Sequence, residues 1–211
     1  MMLSISAAAA LAYQCAPAVA PETLLSVAHA ESELDTLAIG VNHGPRAARP
    51  ANEADAARIA KALIAQGYSI DLGIAQINSR NLQWLGLSVE DAFDVCRNFA
   101  AAARVLQTNY AATSRSGPED PLGRAISRYN TGNDRRGFAN GYVGRVYRAA
   151  NIVVPALRGG AATRPSPMAS MSAVPDSPAP DRPIEAQPAT EGWDVFARGR
   201  RSPVIVFGDP E

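Results

Sequence analysis

The chain has 211 residues, 20 basic and 20 acidic side chains, and a hydrophobic content of 47%. That length suggests one ordinary domain plus additional chain, and the balanced charge removes any electrostatic case for a nucleic-acid partner. No uninterrupted apolar run reaches the roughly 18 residues that a membrane-spanning helix needs.

The opening MMLSISAAAALAYQCAPAVA is apolar, but no Lys or Arg precedes Arg46, so the positive region of a secretory leader is missing. Leu3–Tyr13 is therefore read as the first helix of the domain, and no export signal is evident. Pro21–Asn42 follows, PETLLSVAHAESELDTLAIGVN. Pro21 suits a first helical position, where its missing N–H costs nothing, and Leu24, Leu25, Val27 and Ala28 supply an apolar face at helical spacing. Where that face would continue stand Glu31 and Ser32. A carboxylate there is either a solvated charge or an acid whose pKa burial raises.

The segment NHGPRAARPAN is turn-rich, with Gly44, Pro45 and Pro50 as breakers. Glu53–Gln66 reads as an amphipathic helix that Gly67 terminates. Tyr68–Leu72 alternates as a short strand would, with Ala38–Val41 as its partner in a small hairpin-like sheet. Asn81–Leu85 reads as a helical turn, and Ser88 with Asp91 as a capping-box variant. Asn98 is read as the cap of the long helix FAAAARVLQTNYAAT, whose alanine face allows close packing, with Gly117 and Pro118 ending it. Pro121–Tyr129 and Gly141–Leu157 are the last two helices.

After Arg158 the composition changes. Residues 159–211 hold nine of the sixteen prolines, and such a stretch is expected to be disordered because it buries too little apolar surface to offset chain entropy. Apolar residues return at Gly192–Phe196 and Val204–Phe207. They are either an idle tail or a short segment that docks on a partner protein.

Three ordered motifs carry the chemistry: Glu31-Ser32, then Gly73-x-x-Gln76-Ile77-Asn78, then Ala125-x-x-x-Tyr129-Asn130-x-Gly132. In this order they resemble the lytic transglycosylases of the goose-lysozyme-like superfamily, and most closely the branch serving type IV secretion and conjugation. The resemblance spans roughly residues 10 to 155. It implies a mostly helical α+β domain, lysozyme-like with a small β element, over residues 1–158, and a peptidoglycan strand as substrate in the periplasm. Secretion-system components would be further partners through the tail. The chain departs from the family's Gly-Leu-Met-Gln by reading Gly73-Ile74-Ala75-Gln76.

By this resemblance Glu31 is the catalytic acid and Ser32 its local hydrogen-bond partner, helix capping being the alternative for Ser32. Gly73 would let backbone approach a sugar, while Gln76 and Asn78 would offer donors and acceptors to acetamido and hydroxyl groups. Tyr129 resembles the family tyrosine whose hydroxyl faces the catalytic glutamate, a satisfied core tyrosine being the alternative, and Asn130 lines the cleft. Cys15 and Cys96 fit no metal or Cys-x-x-Cys pattern. Taken alone they are compatible with buried free thiols; the resemblance implies a disulfide instead, and with it an oxidising compartment.

A glycosidase normally uses two carboxylates. A lytic transglycosylase needs one, since the muramoyl 6-hydroxyl attacks the anomeric carbon of its own ring and closes a 1,6-anhydro product. Asp35 reads as a turn former and Asp71 as a brace of the hairpin, so the one-carboxylate reaction is favoured over hydrolysis by a muramidase. A non-catalytic wall-binding scaffold is the reading from another class. With His29 and His43 the only histidines, and with no Gly-x-Ser-x-Gly or P-loop, no metal or cofactor is expected.

Overall fold

The computed structural model describes residues 1–115 and 119–160. Of the tail expected over residues 159–211, Gly159 and Gly160 instead close the last helix, and the remainder, like Gly117 and Pro118, lies outside the described residues.

The domain is built around one helix. α2 (Pro21–Ser32) has Pro21 at its first turn, Glu22 beside it where the helix dipole favours an acid, and Thr23 through Ala28 all buried. Polar Thr23 and Ser26 are enclosed along with the apolar face, so α2 lies inside the core, packed against α8 (Tyr142–Gly160) and α1 (Ile5–Cys15). Leu24, Leu25, Val27 and Ala28 are each fully enclosed. Burying a Leu or Val side chain contributes about 1.5–3 kcal/mol, so this short run anchors the fold. α2 ends where Glu33 turns left-handed and returns its N–H to the His29 carbonyl. Glu31 is thereby fixed in the last turn of a rigid element.

Three short strands form the β element: β1 (Ile39–Val41), β2 (Ile70–Leu72) and β3 (Ile77–Asn78), antiparallel in the order β1-β2-β3. The first two are the expected hairpin partners, while β3 is an addition. Between β1 and β2 lies α3 (Glu53–Ala65), capped by the Asn52 side chain accepting from Asp55 N–H at 2.9 Å. After a 3-10 turn comes α4 (Leu82–Leu85), ended by left-handed Gly86. Ser88 and Asp91 form the expected reciprocal box, each side chain accepting the other's N–H, at 2.9 and 3.1 Å.

α5 (Val95–Ser114) buries Ala101, Ala102 and Ala103 and packs on α1 and on α6 (Pro121–Thr131). Its cap is Asp94, whose carboxylate accepts from Arg97 N–H at 2.8 Å. Asn98 therefore is not the cap; it lies one turn inside the helix, fully buried. A four-residue helix, α7 (Arg136–Ala139), precedes α8 and has no counterpart in the sequence reading. A disulfide joins Cys15 at the end of α1 to Cys96 at the start of α5, with Cα atoms 5.1 Å apart. No helix of the described residues is long and apolar enough to cross a membrane.

Candidate active site

A cleft of about 400 Å³ opens between the end of α2, the sheet, α5 and α6, and Glu31 lies in its wall. Burial is the largest influence on this carboxyl group and pushes its pKa from the ordinary 4.5 up to about 7. The Tyr142 hydroxyl donates to Glu31 Oε1 at 2.5 Å and opposes that rise. Asp71's charge adds to the rise and Arg145's reduces it. Arg145 also stacks over the Tyr142 ring, 5.2 Å from its centroid.

Tyr142 corrects an expectation. The tyrosine whose hydroxyl meets the glutamate is not Tyr129 but this fully buried residue at the start of α8. Tyr129 does line the cleft, but its hydroxyl donates to the Ala75 carbonyl at 2.7 Å. α2 and α8 pack along each other, so the first turn of α8 reaches the last turn of α2. Burial and the nearby Glu31 charge hold both phenols well above their usual pKa, and so protonated donors.

The second motif is a tightly braced loop. Asp71 faces Asn78 across β2 and β3 and accepts from its Nδ2 at 2.6 Å, while Asn42 Nδ2 donates to the other carboxylate oxygen at 2.9 Å. Burial nonetheless raises the Asp71 pKa, against the two asparagine hydrogen bonds. Gln76 holds a left-handed backbone, and its Nε2 donates to the Ala38 and Gly73 carbonyls. Gln76 and Asn78 both line the cleft, yet their amide nitrogens are spent on the protein itself. Asn130 also lines the cleft; its Oδ1 accepts from Asn140 Nδ2.

Ser32, expected as a hydrogen-bond partner of Glu31, and Gly73, expected to meet a sugar, both turn inward. Ser32 Oγ donates to the Ile74 carbonyl at 2.6 Å and ties the acid-bearing helix to the loop. Gly73 adopts φ +72°, and a Cβ there would lie 2.3 Å from the Ala92 carbonyl oxygen, so its close approach is to protein. Asn98 completes this packing: Nδ2 donates to the Leu72 and Ala92 carbonyls, and Oδ1 accepts from Ala75 N–H at 3.0 Å. Ala75, standing where the family has Met, is itself buried; the apolar wall comes from Ile77, Trp84 and Val105.

The model of the family described as "Transglycosylase SLT domain" matches residues 8–151, which include Glu31, Asp71, Tyr129 and Tyr142. This chain belongs to that family. As an SLT domain it is of the lytic transglycosylase class. It is 38% identical to "Protein virB1" of Agrobacterium fabrum, over 91% of this chain and 71% of that protein. It is 42% identical to "Protein virB1" of Rhizobium radiobacter, over 70% of this chain and 62% of that protein. A "Type IV secretion system protein virB1" of Brucella abortus is 36% identical, over 70% of this chain and 68% of that protein. No solved structure matches.

In this SLT domain the residues that sequence reasoning missed are Tyr142, Asn42, Asn98, Trp84, Asn109 and Arg128. Tyr142 carries only a weak signal, a tyrosine opening an apolar helix. Asn98 sits in a polar gap within an alanine-rich face. Among the described residues no group of three or more His, Cys, Asp or Glu is placed to hold a metal ion.

Proposed function

We propose that the chain cleaves the β-1,4 bond between N-acetylmuramoyl and N-acetylglucosaminyl units of peptidoglycan, releasing 1,6-anhydromuramoyl ends. The observation that carries this reading is Glu31, a carboxyl group in a cleft wall with a pKa near 7 and a phenol donating to it. Near neutral pH such a group is divided between acid and base, the balance that favours both directions of proton transfer.

Protonated Glu31 gives its proton to the glycosidic oxygen as that bond breaks, and positive charge develops at the anomeric carbon. The ionised carboxylate then takes the proton of the muramoyl 6-hydroxyl as that oxygen closes the anhydro ring. No water is consumed. Tyr142 serves the second half, since its hydroxyl donates to the carboxylate and stabilises it once formed. Asp71, held by Asn42 and Asn78, faces the same cleft and favours the cationic centre electrostatically.

Asp71 also supports a second reading. A carboxylate close enough to raise the Glu31 pKa is a candidate second group for hydrolysis, as in a muramidase. The product decides between the two. Purified peptidoglycan is digested with wild type and with Glu31→Gln, and the released fragments are analysed by mass spectrometry. Anhydro ends lost in the variant support the first reading, and reducing ends the second. Intact wall that binds a folded wild-type protein, with no fragments, moves the chain to the scaffold class.

The likeness to proteins named for type IV secretion supports a cut in the periplasm, where local opening of the wall would let a secretion or conjugation apparatus pass. Tail residues 159–211 are proposed to dock on that apparatus. Loss of substrate transfer with an intact wall-cutting activity, after deletion of residues 190–211, is the result this docking requires.

A further inference from the structure

The cleft holds a cation that the proton transfers at Glu31 do not use. Arg128 lies on α6, immediately before Tyr129, and lines the cleft with Val105 and Asn109 of the neighbouring α5. Arg124, one turn earlier, pairs with Asp134 at 3.1 Å. Arg128 makes no ion pair with any described residue, and its Nε is buried without a hydrogen-bond partner. Nor is it among the charges that act on Glu31, which are Asp71 and Arg145.

A guanidinium stays charged throughout the physiological range and presents planar donors that match a carboxylate. Buried donors rarely go unpaired in native proteins, and an exception calls for a partner from elsewhere. A cleft lined by Arg128 meets its partner when an anion enters. Neutral amino-sugar polymers carry none. Peptidoglycan does, because each muramoyl unit bears a 3-O-lactyl group whose carboxylate is free or extended by a peptide with carboxylates of its own.

We infer that Arg128 forms a carboxylate subsite that binds an acidic group on the muramoyl 3-substituent and so selects muramoyl strands over neutral glycans. This rests on peptidoglycan being the substrate. The subsite gives the cleft a direction along the strand, because only alternate sugars carry the acidic group.

The test measures affinity by calorimetry at low salt in the Glu31→Gln background, which prevents turnover. The ligands are peptide-bearing strands, peptide-free strands with free lactyl carboxylates, the same peptide-free strands after conversion of the carboxylates to amides, and chitohexaose. With Arg128 present, one or both carboxylate-bearing strands should bind roughly ten- to a hundredfold more tightly than amidated strands and chitohexaose, the range of one charge-assisted pair. Arg128→Gln should collapse that ratio, and Arg128→Lys should restore part of it. A preference for peptide-free strands over their amidated form identifies the lactyl carboxylate; a preference confined to peptide-bearing strands identifies the peptide. Equal affinity for all four ligands with Arg128 present overturns the inference without appeal to any variant. So does a preference that survives Arg128→Gln. Failure of the substrate reading is seen separately, as a wild-type protein that releases no fragments from the wall.

Discussion

Substituting Glu31 by Gln should stabilise this protein, and by an amount that depends on pH. Folding moves the Glu31 pKa from 4.5 to about 7, chiefly because the carboxylate is deprived of water. Between those values the folded chain keeps a proton that the unfolded chain releases, so rising pH favours unfolding. The cost is absent below the unfolded pKa and complete above the folded one. At ~1.36 kcal/mol per pH unit the gap between the two values amounts to about 3 kcal/mol. Gln keeps an oxygen for the Tyr142 hydroxyl to donate to and carries no charge to bury. Urea unfolding at pH 4 and pH 8 reads the effect. Glu31→Gln should match wild type at the lower pH and exceed it by about 3 kcal/mol at the higher. A difference independent of pH, or a variant less stable at pH 8, would refute the claim that burial sets the acid.

Three further substitutions test the surroundings of Glu31. Tyr142→Phe removes a donor to the carboxylate, worth about 1.5–3 kcal/mol, so the alkaline limb of kcat/KM should move up by roughly one to two pH units. Asp71→Asn removes a neighbouring negative charge and should move the same limb the opposite way, to lower pH; limbs that shift together would contradict this electrostatic account. Asn98→Ala leaves the Leu72 and Ala92 carbonyls and the Ala75 N–H buried without that partner. It should cost about 3 kcal/mol or more in chemical denaturation, and a loss below about 1 kcal/mol would mean that water replaces the side chain.

Sequence patterns are local, and the site is legible where its chemistry is local. Pro21, the apolar face of α2 and the polar pair that interrupts it leave Glu31 either a solvated charge or a buried acid; the three ordered motifs, through the resemblance they carry, select the acid. The alternation around Tyr68–Leu72 yields the hairpin, but β3 is two residues long and too short to alternate. Tyr142 is 111 residues from the glutamate it touches. Choosing it over Tyr129 requires knowing which face α8 turns toward α2, a fact of packing that no short pattern carries. Asparagine near a helix start usually caps it, but here Asp94 takes that position and frees Asn98 to pin the loop. At Gly73 a tight approach is visible in the residue type, while the partner, protein rather than sugar, is not. Arg128 lies inside the third motif, and an arginine beside a tyrosine on a helix reads as a surface charge until its neighbours are known.

The central claim is that Glu31 is the one carboxylate that transfers protons and that the substrate supplies its own nucleophile. Digesting peptidoglycan in ¹⁸O-labelled water and weighing the muramoyl ends tests it most directly. The account predicts anhydro ends carrying no label, because the oxygen that closes the ring is the sugar's own. One ¹⁸O at each new reducing end would mean that water attacks, and Asp71 would then become the second catalytic carboxylate.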